Sequence, residues 1–351
     1  MMRAYEIGAQ NGLYDLCLVN RPAPLPKAGE VRIRVIAACL NHRDLLILQG
    51  KYGPKKPHDI IPLSDGVGVV DMVGEGVDDA IKGKRIIAPH FVNWTSGPYN
   101  PAIFAQDLGV SRHGWLAEYI IIPATAVIIL PDNINDDSAA CLAAAGTTVW
   151  HALSAFGEVK PDNEVKPNDN VKSDELVLTL GTGGVSILAL QIAKAMGARV
   201  AITSSSDEKL AKCTSLGADM VINYRDNPHW DEILLEQNGG MGASMILDTA
   251  GMMSLERTLN AAAPNGKIAM IGALAGQLDH APNLFAIIGK NLTIKGITSG
   301  SRDMLAELVH HVSKHNITPI IDKKFAFDDA LAAYEYLAAG DHMGKLMIKI
   351  S

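Results

Sequence analysis

Cysteine is scarce and scattered. The 351 residues hold four, Cys17, Cys39, Cys141 and Cys213, and no two stand in a C-x-x-C spacing. Disulfide scaffolds and cysteine-built zinc lobes both need clustered pairs, so neither is expected, and the usage suits a reducing cytoplasm. Polybasic tracts are missing too. With 38 acidic and 31 basic side chains the formal net charge is −7, which argues against nucleic acid and anionic membrane as partners. The opening MMRAYEIGAQNG lacks the basic-then-apolar order of a signal peptide, so a cytoplasmic location is expected. One absence points the other way. Leu176–Ala193 contains no charged residue over 18 positions, a length within the transmembrane range.

Hydrophobic residues make up 48% and charged residues 20%, a globular balance that excludes a disordered or collagen-like chain. The length suggests about two domains. The first third reads as β structure. Val31–Ala38 alternates apolar and polar residues, Val67–Val77 is β-branched and broken by glycines that suit bulges, and Ile86–Ala88 is a short apolar run closed by Pro89. Tyr119–Pro131 holds two strand-like runs divided by Pro123. From about Asp136 the character changes, and Ser138–Phe156 is alanine-rich with helical spacing. A polar stretch follows in which Glu158-Val-Lys-Pro recurs as Glu164-Val-Lys-Pro, a pattern expected of a surface loop. Beyond it, apolar strands alternate with amphipathic helices: ELVLTLG, ILALQIAKAMG, ARVAITS, DEKLAKCTSLG, ADMVINY, ASMILDTAG, LERTLNAAAPNG, KIAMIGAL and NLTIKGIT. That alternation predicts parallel βαβ units in a doubly wound α/β sheet. Two helical segments (DMLAELVHHVSKH and FDDALAAYEYLAAG) and a strand, KLMIKI, end the chain. His311 and His315 lie four residues apart on the first, where a solvated face is expected rather than a chelating pair.

The uncharged run now has an explanation other than a bilayer. Leu176–Leu180 reads as a buried strand, Gly181-Thr182-Gly183-Gly184-Val185-Ser186 as a glycine turn, and Ile187–Met196 as a helix. Gly181 and Gly183 match the first two glycines of G-x-G-x-x-G, and Ser186 stands in place of the third. Such a turn brings the backbone close to a pyrophosphate and offers it a helix N-terminus, so a dinucleotide cofactor is expected here. An acid about 20 residues past the first glycine would receive the ribose hydroxyl of NAD. This chain has Thr203-Ser204-Ser205-Ser206 there, with Lys209 close by, and hydroxyls with a lysine accept a 2′-phosphate. NADP is therefore favoured over NAD. Two alternatives stay open: Ser205 and Glu208 fit a helix capping box, and Asp207 is close enough to turn toward the ribose.

Several segments together resemble the medium-chain dehydrogenase/reductase superfamily, over nearly the whole chain. They are Asn41-His42-Arg43-Asp44 with Gly50-Lys51-Tyr52, the stretch Pro62–Val77, the GTGGVS turn, Ile202–Arg225 and the ending His342–Ile350. The resemblance implies a GroES-like, partly open β-barrel catalytic domain over residues 1–132 and 301–351, split around a Rossmann domain over 133–300, with the active site in the cleft. Zinc-dependent members hold a catalytic metal with a cysteine, a histidine and a second cysteine, and the matching positions here are Asn41, Ser64 and Ala145. None carries a thiolate or imidazole, so no zinc is expected. His42, Asp44, His58 and Asp65 share no ligand spacing that would replace it.

Asn41-x-x-Asp44 with Gly50-x-Tyr52 is similar to the zinc-free quinone oxidoreductase branch, while Ser64-Asp65 and the GTGGVS turn look like a zinc-free subgroup labelled NAD(P)-dependent alcohol dehydrogenase. The expectation is an NADPH-dependent oxidoreductase acting on a quinone or α,β-unsaturated carbonyl. The alternatives are an alcohol or aldehyde dehydrogenase and a cofactor-binding protein without turnover. Tyr52 is the candidate phenolic donor to substrate oxygen, or else a half-buried aromatic. Asn41 is an amide donor or orienter, or else a turn former, and Asp44 is a candidate that could instead hold its loop together. By resemblance Thr147 and Thr148 match the nicotinamide side of the cofactor, Tyr224 and Arg225 lie near the adenine, Gly272-Ala273-Leu274 border the cleft, and Lys345 faces it. The segment 93–113 stands where relatives carry the zinc lobe and would serve as a substrate lid or subunit contact. A homodimer is usual in this branch.

Overall fold

A computed structural model describes residues 1–159, 175–272 and 282–351, and divides the chain into two units: Met1–Thr147 with Gly300–Ser351, and Thr148–Ser299. The repeated 160–171 stretch, Ala273 and Leu274 lie outside the described residues.

In the first unit, β1 (Met2–Ile7) and β2 (Leu16–Arg21) form an antiparallel pair. The main sheet is built on β3 (Glu30–Leu40), the longest of the alternating runs, whose end leads through Asn41 into α1 (His42–Leu48). β4 (Asp65–Val73), β5 (Arg85–Ile87), β6 (Tyr119–Pro123) and β7 (Ile128–Ile129) follow. β3 and β4 slip register twice, between Arg32 and Ile33 and between Val35 and Ala37, which bends the sheet as bulges do. Gly66 is forced by packing, because a Cβ there would lie 2.4 Å from the buried Trp115 ring.

The alanine-rich stretch is helical but irregular: α2 (Asp136–Ala139) is followed, after Ala140-Cys141, by a wide π-helical turn over Leu142–Gly146, α3 (Thr147–Trp150) and a second π-helical turn over His151–Phe156. A buried carboxylate explains the first interruption, since Asp65 Oδ1 takes the Ala144 amide at 2.6 Å. Segment 133–147 also makes its ion pairs inside the first unit, Asp136 with Arg85 and Asp137 with Lys324 and Lys349.

The second unit continues with β8 (Leu176–Thr179), α4 (Gly184–Ala195), β9 (Arg199–Ser204), α5 (Asp207–Ser215), β10 (Met220–Asn223), α6 (Trp230–Gln237), β11 (Ala243–Asp248), α7 (Leu255–Ala261), β12 (Ala262–Met270), α8 (Phe285–Gly289) and β13 (Thr293–Gly296). Its six strands are all parallel in the order β10-β9-β8-β11-β12-β13, the doubly wound arrangement that the alternation of strands and helices predicts. Leu178, Ile246 and Trp230 lie at its core.

The chain then returns to the first unit as α9 (Arg302–His315), β14 (Ile321–Ala326), α10 (Ala330–Ala339) and β15 (Lys345–Lys349). β15 pairs antiparallel with β3 and completes the sheet β14-β15-β3-β4-β5-β7, with β6 also on β3. His311 is a correction to the sequence reading. It is buried in α9 rather than on a solvated face, its ring 4.3 Å from that of His315, and burial followed by its histidine neighbour pushes it down to about 4. Among the described residues no helix is long and apolar enough to cross a membrane.

Candidate active site

The end of β3 is flanked by two strand beginnings, because both of its neighbours run antiparallel to it. Leu346 of β15 pairs with Leu40, and Asp65 of β4 pairs with Cys39. Lys345, Asn41 and Asp65 therefore converge although 304 and 24 residues separate Asn41 from the other two. The Lys345 ammonium donates to Leu40 O at 2.9 Å, Asn41 Oδ1 at 2.7 Å and Asp65 Oδ2 at 3.1 Å. Burial works against this charge, and Asp65 together with Cys39 and Cys141 more than offsets it, so the ammonium is held above its ordinary pKa. The Asn41 amide donates to Asp65 Oδ2 at 3.0 Å and toward Ser64 Oγ at 3.4 Å. Asn41 thus lies inside a closed network, and the three hydrogens of Lys345 are directed to Leu40 O, Asn41 Oδ1 and Asp65 Oδ2.

Asp44, buried in the first turn of α1, accepts the Asn41 backbone amide at 2.7 Å. Burial pushes its carboxyl up to about 7, against the pull of Arg43. Tyr52 lies between two cations, its ring 5.7 Å from the Arg43 guanidinium and 5.4 Å from Lys56 Nζ. Burial raises its phenol.

A further network had no signal beyond residue type. Arg43 holds Asp107 with two hydrogen bonds, 2.8 and 3.2 Å, and donates to Leu108 O, while His90 Nδ1 lies 3.0 Å from Asp107 Oδ1. Burial would raise Asp107; Arg43 and His90 together hold it below the usual carboxylate range. Segment 93–113 is anchored by that carboxylate and packs a small core of its own, Phe91, Trp94 and Ile103, with Phe104 and Tyr99 edge-on to the rings.

The three positions matched to zinc ligands do not fit the ion. Asn41 and Ser64 offer neutral oxygens, Ala145 offers no donor, and the Asn41 oxygen already accepts from the Lys345 ammonium. His42 and His58 are exposed, while Asp44 and Asp65 are committed to the contacts above. Cys39 and Cys141 are buried with their sulfurs 3.6 Å apart, and burial pushes the Cys39 thiol well up.

In the second unit the candidate cofactor residues line the C-terminal ends of neighbouring strands. Gly181 takes φ +78°, and its amide donates to Thr203 Oγ1 at 3.2 Å. No atom lies within 4 Å of a Cβ placed on Gly181 or Gly183, so the backbone before α4 is open to a ligand. Thr182 is buried, Gly183 caps α4, and Gly184 and Val185 begin it, presenting amides that a pyrophosphate could accept. Ser186, in the third glycine's place, donates to Leu180 O at 2.7 Å and ties turn to strand. The residues fit a dinucleotide.

At the end of β9, Ser204 is buried, and Ser205 follows it. The helix cap is Ser206, whose hydroxyl accepts the Lys209 amide, so the capping position lies one residue later than the Ser205–Glu208 box predicts. Asp207 is engaged by Asn223 at 2.8 Å. The Tyr224 amide donates to Ser204 O, and the exposed Arg225 follows. Gly272 donates to Asp248 O. Asp248, missed from sequence, accepts the Ala250 and Gly251 amides and the Ser254 and Thr258 hydroxyls, shaping the turn after β11. Thr147 closes the first unit's wide turn on Leu142 O, and Thr148, also buried, begins the second unit.

Residues 27–132 match the alcohol dehydrogenase GroES-like domain, and residues 184–314 match the zinc-binding dehydrogenase family. With the nucleotide turn and the parallel sheet, these define the class: the chain belongs to the medium-chain dehydrogenase/reductase superfamily of nicotinamide-dependent oxidoreductases. It is 39% identical to a zinc-type alcohol dehydrogenase-like protein of Schizosaccharomyces pombe, over 92% of this chain and 91% of that one. An acryloyl-coenzyme A reductase of Sulfurisphaera tokodaii is 26% identical over 93% of this chain and 94% of its own length. Among solved structures, an NAD-dependent alcohol dehydrogenase superposes with a TM-score of 0.88 at 30% identity, covering 100% of both chains.

Proposed function

We propose that the chain passes a hydride from NADPH to a quinone or an α,β-unsaturated carbonyl without a metal ion. The observation that carries this reading is the donor set at the three positions matched to zinc ligands, where Asn41 and Ser64 offer neutral oxygens and Ala145 offers no donor. Zinc is held by thiolates and imidazoles, and neither stands there. Without a Lewis acid, an unactivated alcohol keeps its proton too tightly for easy oxidation. The carbon of a quinone or enone is already electron-poor, and its reduction asks only for stabilisation of the charge that gathers on oxygen.

When bound, NADPH supplies the hydride from its nicotinamide. The chain supplies the rest. Tyr52 donates a hydrogen bond to the substrate oxygen, and the Arg43 and Lys56 cations beside its ring hold the negative charge that develops there. Asn41 keeps its orientation through Lys345 and Asp65. The 2′-phosphate is received by Ser204, Ser205 and Lys209, with Asp207 drawn aside by Asn223.

The names of the yeast relative and of the solved NAD-dependent enzyme favour a second reading, oxidation of an alcohol or aldehyde. The acryloyl-coenzyme A reductase supports the first, since its named substrate is an enone-like thioester. Steady-state rates with an enone, a quinone and a panel of alcohols, before and after chelator treatment, separate them. We expect enone or quinone turnover that survives chelation and a higher kcat/KM with NADPH than with NADH. Turnover of simple alcohols alone, or loss of activity that zinc restores, overturns the proposal. Cofactor binding without turnover of any acceptor replaces it with a non-catalytic role.

A further inference from the structure

The first unit holds a cavity of about 230 Å³ between the end of β2, residues 60–61, residues 111–113 and β6. None of the candidate catalytic or cofactor residues lines it. Its walls are of two kinds: Pro22, Pro24, Ile60 and the Tyr119 ring are apolar, whereas Arg21, Arg112 and His113 bring nitrogen. Strand pairing sets these groups in place. Arg21 is the register partner of Met2, and the chain beyond His113 runs along 61–63, with the Gly114 amide on Ile61 O and the Trp115 amide on Leu63 O.

Hydrogen-bond roles define what the cavity accepts. The Ile61 amide donates to His113 Nδ1 at 3.3 Å, so that nitrogen carries no proton. Burial first and then Arg21 hold the imidazole below its ordinary pKa, with Asp59 opposing, so the ring is neutral and its single proton is on Nε2. Arg21 Nη2 lies 3.4 Å from that nitrogen, and a guanidinium only donates. Two donors therefore face each other, and an oxygen that satisfies both has to come from outside the pair. Glu6 is engaged elsewhere, on Arg21 Nη1 at 2.7 Å, and Asp59 O lies 3.4 Å from the same nitrogen. Arg112 is held by Gln106 and Glu30 at 2.7 and 3.3 Å. Each arginine thus has one carboxylate already, which leaves the wall suited to a single further negative charge.

We propose that this cavity binds a small monocarboxylate with an apolar tail, its carboxylate bridging Arg21 Nη2 and His113 Nε2 and its tail lying against Pro22, Pro24, Ile60 and Tyr119. A carboxylate only accepts, and its two oxygens match the two donors. The volume is below the roughly 300–1,000 Å³ of pockets for drug-sized ligands, which limits the tail to about one ring. The site stands apart from the hydride-transfer reading and does not depend on it.

Benzoate is the probe, titrated calorimetrically into the protein in the presence of excess NADPH, with benzamide and inorganic phosphate as controls. One saturable site for benzoate is expected. Benzamide, which has the same ring without the charge, should bind about 10–100-fold more weakly, the range of one hydrogen bond to a charged group. Phosphate, which has no tail, should not displace benzoate. Arg21→Met keeps the stem and removes the guanidinium, and His113→Asn keeps an acceptor for the Ile61 amide while withdrawing the ring N–H. Each should weaken benzoate by the same factor. Should a variant not fold, nitrogen NMR of the wild-type histidines reads the same contact: the His113 ring should carry its proton on Nε2, with a resonance that moves on adding benzoate and stays on adding benzamide. No saturable benzoate binding, equal binding of benzamide, displacement by phosphate, undiminished affinity in either variant, or a His113 proton on Nδ1 overturns the proposal.

Discussion

Asp44 is the residue whose protonation the fold perturbs in the most testable way. Burial lifts its carboxyl from 3.8 to about 7, with Asp65 adding to the rise and Arg43, the Asn41 amide and Lys345 opposing it. Between those two pH values the unfolded chain has released the proton while the folded one keeps it, so stability falls as pH rises through that window and levels off above about 7. The gap corresponds to roughly 4 kcal/mol at most. Asp44→Asn, which keeps an acceptor for the Asn41 amide, should therefore gain on the wild type in melting temperature at pH 8 and lose that advantage near pH 4. A constant difference across the range would show that the carboxyl does not titrate as argued. At this scale the sequence shows the residues but not their partners. Asn41-x-x-Asp44 is visible as a motif, whereas Lys345 meets Asp65 across 280 residues, and only strand register brings them together.

Elements were legible where periodicity is strong and obscure where a tertiary contact overrides it. The strand–turn–helix at β8 and α4 follows from an uncharged run with three glycines. The helix read over Ser138–Phe156 is there but irregular, pausing at Ala140-Cys141 and widening over Leu142–Gly146 and His151–Phe156, and nothing in the alanine-rich segment records the Asp65 carboxylate that takes the Ala144 amide. The 93–113 segment is a similar case. Its aromatic residues suggest a lid or a contact, and the structure shows a tether the sequence did not reveal, to α1 through Asp107 and Arg43, with His90 on the same carboxylate. That tether gives an element-scale prediction. Asp107→Asn leaves the guanidinium buried without its counter-charge, a loss of about 3–5 kcal/mol. Urea unfolding should show a lower midpoint with an unchanged slope, and limited proteolysis should cut between residues 93 and 113 first. A midpoint within experimental scatter of the wild type would mean that the aromatic cluster alone holds the segment.

For the molecule as a whole, each unit has a core of its own, Trp115, Tyr334 and Ile33 in the first and Leu178, Ile246 and Trp230 in the second. The chain passes between them twice, after Thr147 and after Ser299, which makes the C-terminal strand carrying Lys345 part of the first unit. The sheet of the second unit ends at β13, whose four residues are all exposed and which pairs only with β12 among the described strands. Beside it Phe285 and Ile288 are 72% and 80% exposed. An open edge next to apolar surface favours pairing with another chain, and a second copy related by a two-fold axis would satisfy both edges at once. Light scattering at micromolar concentration should therefore report a dimer. Ile294→Lys with Ile288→Glu should convert it to a monomer with an unchanged circular dichroism spectrum, since both residues are exposed. A wild-type protein that is monomeric under the same conditions, or a double variant that still dimerises, would remove β13 as the interface.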